Sequence, residues 1–201
     1  MMKPFDFTKQ YILEDNIVQL RPLEIEDIKN LIDFAIHEPH LWKYSLVTAN
    51  SKENMINYIH SAIHARNENK EYPYIVFDKR TNEYAGCTRF YDMQLTNRST
   101  QLGYTWYGTK FQGSGLNKHC KYLMLQFAFD QIGFDRVEFR ADNMNERSIR
   151  AMKSIGCTEE GIIRSSSLRS DGTRRDSILL SILKNEWTEN LGEQLKSKLT
   201  D

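Results

Sequence analysis

The sequence predicts an α/β (α+β) fold: a mixed, strongly twisted sheet of about six to seven strands with helices on both faces. Three observations carry that reading. Four β-like runs precede residue 108, and two helical patterns are inserted after the first of them. A strand, a glycine-bearing turn, a helix and another strand then follow between Gln101 and Asp142. Finally, two β-like runs flank Asp171-Gly172, a strong hairpin signal.

Length and composition narrow the possibilities. With 201 residues and 40% apolar content, the chain can bury one full core, so residues 1–201 read as a single domain. Lys plus Arg equals Asp plus Glu, so no global field recruits nucleic acid or an anionic membrane. Cys87, Cys120 and Cys157 are odd in number and far apart, which suits small buried side chains better than disulfides or zinc. No run has the length of a membrane span and the first residues lack an apolar signal core, so a cytoplasmic monomer or homodimer is expected.

Each element has its own signal. Residues 1–15 mix Phe5, Phe7, Tyr11 and Ile12 with charge and read only as a lead-in. Residues 16–23 carry Ile17 and Val18 and reach Pro22, which suits a strand end. Residues 24–36 place Leu31 and Phe34 at helical spacing behind acids in the first turn. Ser51 is an N-cap for a second helix reaching about Asn67. His60 and His64 lie four apart on it, but with no third ligand evident no metal is expected. Residues 72–78 and 84–92 form a hairpin across a polar turn, and 99–106 continue it.

The third helix shows Leu116, Cys120, Leu123 and Phe127 on one face and stops at Gly133. Val137, Phe139 and Ala141 alternate with Glu138, Arg140 and Asp142 in the next strand, and Glu146 to Ile155 form a short helix closed by Gly156. Residues 160–168 and 176–183 make the last hairpin. Trp187, Leu191, Leu195 and Leu199 give residues 184–201 an amphipathic stripe, suited to docking on the same domain or on another subunit.

The turn Gln112-Gly113-Ser114-Gly115 is the chemical centre of the chain. Its glycines allow a sharp bend, and successive N–H groups converge where the helix that follows leaves its first donors unpaired. An anion such as pyrophosphate suits that place. No Lys-Ser or Lys-Thr pair follows at P-loop spacing, and Lys118 stands where a dinucleotide fingerprint needs its third glycine.

The turn resembles the Gln/Arg-x-x-Gly-x-Gly/Ala signature of the GCN5-related N-acetyltransferase (GNAT) superfamily, with Asn117 departing from it at the sixth position. Residues 142–161, including Asn145, Ser148, Ala151, Ile155-Gly156 and Glu160-Gly161, are similar to a series in the ribosomal-protein alanine acetyltransferase (RimJ/RimL-like) branch. The resemblance runs from about Asn16 to Trp187. It implies transfer of acetyl from acetyl-CoA to a primary amine, either a protein N-terminus or a small molecule, by direct attack in a ternary complex.

It further implies that Gln112, Gly113, Ser114, Gly115, Leu116 and Asn117 hold the pyrophosphate, that Thr105, Trp106 and Tyr107 border the thioester arm, and that Asn145 reaches the pantetheine. Ser148 is implied as a proton donor to the departing sulfur. The general base stays open, because the family's usual acids are replaced by Gln101 and by Ser165-Ser166-Ser167; Glu138, Asp92 and a bound water are the alternatives. Lys118 and Lys121 are further candidates to meet phosphate. Residues 37–50, with His40, Trp42 and Tyr44, are implied on the acceptor side. An acyl-CoA-binding or sensing module without turnover, and more remotely a nucleotide-binding module, are the rival readings.

Overall fold

The computed structural model describes residues 5–169 and 172–199. Its sheet has eight strands in the order β1-β2-β3-β4-β5-β6-β8-β7. They are β1 (Leu13–Glu14), β2 (Val18–Pro22), β3 (Tyr72–Asp78), β4 (Glu83–Gln94), β5 (Ser99–Tyr107), β6 (Arg136–Asp142), β7 (Thr158–Leu168) and β8 (Arg174–Leu183). Every neighbouring pair is antiparallel except β5 and β6.

The strand beyond the expected seven is β1, hidden in the lead-in. Asp15 turns the chain there: its carboxylate accepts from the amides of Ile17 and Val18, both at 2.8 Å, and Leu13 pairs with Leu20. Two paired residues are too few to give an alternating pattern. Phe5 and Phe7 pack edge-on, with Phe5 against Tyr72, so the lead-in covers the aromatic end of the core.

Helices sandwich the sheet. On one side lie α1 (Ile28–His37) and α2 (Lys52–Asn67), whose Leu31, Ala35, Met55 and Ile59 meet Ile75, Cys87 and Trp106. Ser51 caps α2, its hydroxyl accepting from the Asn54 amide at 3.2 Å. The α1 region begins as a 3-10 turn, Ile25–Asp27, because Asp27 is pulled inward by Arg21, which donates to it at 2.6 and 2.8 Å.

On the other side lies α3 (Leu116–Gln126), which widens into a π-helical segment Phe127–Ile132 before Gly133 stops it at φ +91°. Leu116, Cys120, Leu123 and Phe127 are all buried, as their spacing requires. A short α4 (Glu146–Ser154) follows β6 and ends before Gly156, at φ +93°. Ser170 and Asp171 of the expected Asp-Gly turn lie outside the described residues. The tail docks here: Trp187 and Leu195 are buried in the same core as α3, and the Trp187 indole donates to Asp130 at 3.1 Å. Among the described residues, no helix is long and apolar enough to cross a membrane.

Candidate functional site

The site begins where β5 stops being regular. Cys87 pairs with Trp106 and Arg89 with Gly103, so Thr88 faces both Tyr104 and Thr105. That extra residue is a β-bulge, and Tyr104 takes φ +48° to form it. On its other edge β5 pairs with β6 only over Ser99–Gln101. Beyond that point β5 stays on β4 as far as Tyr107 and β6 stays on β8 as far as Asp142, so the two parallel strands separate into a wedge.

The C-terminal ends of both strands lie at the mouth of this wedge, and each leads into a helix N-terminus. After β5, a 3-10 turn (Thr109–Phe111) delivers the chain to Gln112, and Gly113 and Gly115 then take φ +76° and +86°. A Cβ on either glycine would meet no atom within 4 Å, so the loop faces open space. Among the described residues, no backbone acceptor stands in hydrogen-bond geometry to the amides of Gly113, Ser114 or Gly115. Leu116 and Asn117 open α3 directly behind them. Unpaired amides at a helix start form a ready anion site.

Side chains brace the loop. Gln112 donates to the Tyr107 carbonyl at 2.9 Å, and Ser114 donates its hydroxyl to the Phe111 carbonyl at 2.7 Å. Two arginines reach it from elsewhere: Arg80 donates to the Ser114 carbonyl at 3.0 Å, and Arg147 of α4 donates to the Gln112 side-chain oxygen. Sequence reading missed both, since each lies more than thirty residues away in the chain with no local motif.

On the β6 side, Asn145 is the N-cap of α4 and accepts from the Ser148 amide at 3.1 Å. Ser148 is half-buried in the first helical turn. The same few residues thus bring together Gln112, Asn145 and Ser148. Trp106 and Tyr107 differ: both side chains are buried, Trp106 between Trp42 at 5.2 Å and Phe34 at 5.6 Å. Only their main chain borders the wedge. Trp42 is therefore a core residue, and of the 37–50 segment Tyr44 turns its carbonyl to the buried Arg175 at 3.2 Å.

Thr105 bears its hydroxyl on the α3 face, 2.8 Å from that of Thr88. Lys121 also ends there, 2.8 Å from the Thr105 hydroxyl, so it does not approach the glycine loop as a phosphate contact would. Lys118 stays in the first turn of α3, half-buried. The two carboxylates considered as bases are occupied: Glu138 accepts from Arg136 at 3.1 Å and Arg140 at 2.7 Å, and Asp92 accepts from Gln94 at 2.7 Å and Gln101 at 2.8 Å. On that face of the sheet, Arg89 stacks over Tyr104 at 4.1 Å and Tyr58 at 4.7 Å while donating to Glu71 at 2.6 Å.

His60 and His64 are exposed, and His64 faces Glu68 at 3.2 Å. Among the described residues no cluster of three or more His, Cys, Asp or Glu side chains is placed to hold a metal.

A model of the acetyltransferase (GNAT) domain matches residues 18–158, well over half of the chain. The chain belongs to the GNAT acetyltransferase family. It is 30% identical over 102 residues to “Putative ribosomal N-acetyltransferase YdaF” of Bacillus subtilis (strain 168). That match covers 51% of this chain and spans about half, 55%, of YdaF. An acetyltransferase structure from T. thermophilus superimposes with a TM-score of 0.85 at 26% identity, over 99% of this chain and 100% of that one. The microcin C7 self-immunity acetyltransferase MccE, solved with acetyl-CoA and AMP, shares the fold with a TM-score of 0.74 at 17% identity, over 84% of this chain and 93% of MccE.

Proposed function

We propose that this GNAT-family chain is an acetyl-CoA-dependent N-acetyltransferase acting on a primary amine, a protein N-terminus or a small molecule, by direct attack in a ternary complex. One observation carries the reading: an open, amide-lined glycine loop at the start of α3 stands at the mouth of a wedge between two parallel strands. The loop suits a pyrophosphate and the wedge suits a narrow amide-bearing arm. That MccE holds acetyl-CoA on this fold supports the same reading.

Bound there, acetyl-CoA would supply an acetyl thioester. The amides of Gly113 to Asn117, with Arg80 and Arg147 close by, would hold the phosphates. The main chain of Thr105 to Tyr107 would orient the arm, and orientation supplies much of the rate where the leaving thiolate is already a weak base. The amine nitrogen forms the new bond to the acetyl carbon as the carbon–sulfur bond breaks. Ser148, beside Asn145 at the wedge mouth, is the group we place to give the sulfur a proton.

The amine must arrive neutral. Because Glu138 and Asp92 already hold strong donors, we assign removal of its proton to water. That choice favours acceptors such as an α-amine near pKa 8 over a lysine side chain near 10.4.

The first test is thermal stability with acetyl-CoA, coenzyme A, ATP or NAD, since a ligand at a hundred times its dissociation constant adds about 2.7 kcal/mol. We expect stabilisation by the two coenzyme A species alone, followed by thiol release with one or more amines of a broad panel. Binding without release from any amine would establish the sensing module instead.

A further inference from the structure

The interior of the wedge contains a charged-type side chain with no counter-charge. Lys121 is 6% exposed, and its amine lies 2.8 Å from the Thr105 hydroxyl, 3.5 Å from that of Thr88 and 5.9 Å from the centroid of the Phe139 ring. Thr105 belongs to β5 and Phe139 to β6, and both stand past the last β5–β6 pair, Gln101 with Glu138. The amine therefore sits between the two strands where their ladder has opened.

Its surroundings are almost wholly apolar. No carboxylate pairs with it among the described residues. The ionisable neighbours that act on it are Cys120 and Cys157, whose thiols burial pushes up to about 12 and so keeps neutral. Burial pushes the amine itself down to about 7. A lysine amine carries two or three N–H donors, and the Thr105 hydroxyl, already shared with Thr88, is one close acceptor. Burying donors without acceptors costs free energy, and a methionine would fill the same volume without that cost. A buried donor left over beside an opened ladder points to an acceptor supplied from outside.

We propose that Lys121 is a binding residue of this cleft, donating from the α3 side to a carbonyl oxygen of the amide-bearing arm of an acyl-coenzyme A seated between β5 and β6. The inference rests on the acetyl-CoA reading of the wedge. It adds a side-chain contact from the middle of α3, where the glycine loop supplies main-chain contacts from its start.

The test compares two probes on the full chain, acetyl-CoA and adenosine bisphosphate, the latter being the nucleotide end without the arm. Lys121→Met should raise the dissociation constant of acetyl-CoA about tenfold, the scale of one lost hydrogen bond to a desolvated carbonyl, and leave that of adenosine bisphosphate within about twofold. Equal weakening of both probes, or none for acetyl-CoA, would overturn the contact and leave Lys121 a structural residue. A wild-type chain that binds neither probe would instead remove the coenzyme A reading, and this contact with it. Should Lys121→Met not fold, Lys121→Gln, which keeps a polar end but falls short of Thr105, is judged by the same pair of probes and the same criteria.

Discussion

Arg80 spans from the β3–β4 turn to the glycine loop, donating to the Ser114 carbonyl at 3.0 Å while its other nitrogen holds Asp78 at 2.8 Å. The Asp78 carboxylate, nearly inaccessible, fixes the guanidinium in place, so a positive charge is oriented beside the loop before any anion arrives. Arg80→Ala should raise the dissociation constant of acetyl-CoA about fivefold to tenfold, the range for one charge-assisted contact. Calorimetric titration at two salt concentrations checks this, and a variant with unaltered affinity would confine Arg80 to bracing the turn.

Gly115→Glu tests the loop itself. No atom stands within 4 Å of the new Cβ, but φ +86° costs a non-glycine residue about 1–2 kcal/mol. The chain should fold with a modestly lower Tm, while acetyl-CoA binding collapses because a carboxylate occupies the anion's place. Tm and affinity measured together separate the two effects, and retained affinity would show that the pyrophosphate sits elsewhere.

Ser148 and Asn145 divide along the same line. Ser148→Ala should lower turnover by about tenfold or more with little change in acetyl-CoA affinity, if its hydroxyl serves the departing sulfur. Asn145→Ala removes the cap of α4 and should cost about 1 kcal/mol of stability as well. Steady-state rates beside denaturation curves decide the matter, and an unchanged rate for Ser148→Ala takes that residue out of the chemistry.

Gly86 is held by packing alone. A Cβ there would lie 2.0 Å from the Trp106 carbonyl oxygen, and φ is +153°. Because the clash is with backbone on the neighbouring strand, Gly86→Ala should destabilise by about 3 kcal/mol or more and shift β5 against β4. Denaturant unfolding provides the number, and a loss under about 1 kcal/mol would show that β5 can yield.

Acid stability should depend on Glu160. Arg136 donates to it at 2.7 Å and Ser181 at 2.5 Å, and these bonds hold its carboxyl at about 2, below the ordinary 4.5. The folded state thus binds the proton less readily than the unfolded one. The contribution is fully present above about pH 4.5 and is lost as pH falls through about 2. Arg136→Met should flatten this part of the stability curve, with an effect of about 1 kcal/mol because the pair is partly solvated. An identical acid limb in wild type and variant would rule the pair out as its source.

Much of this was readable in the amino-acid order. Periodic apolar residues placed every long element within a residue or two, because a helix or strand that must bury one face announces its period. The Leu116, Cys120, Leu123 and Phe127 stripe and the Ser51 cap are cases of that kind. The glycine loop was legible because a left-handed bend narrows the residue choice. What escaped depends on distance through space. Arg80, Arg147 and Arg175 acquire meaning only when the sheet brings their strands and turns to the loop and cleft, and β1 is set by the Asp15 turn rather than by a pattern. Lys121 misled for the same reason: a lysine on a helix reads as solvated, and only the packing of α3 against β5 reveals that its amine ends among threonines and a phenylalanine.

The parting of β5 and β6 after three residue pairs leaves an unfinished edge in the middle of the sheet instead of at its margin. Edges are where chains recruit foreign strands and begin to aggregate. This one is hemmed in by its two flanking strands and floored by Lys121, so a pleated polypeptide with side chains on alternate faces has no room to enter. The gap is therefore a filter by thickness: it rejects another protein's strand and admits only a slender, unbranched chain that can still satisfy amide groups.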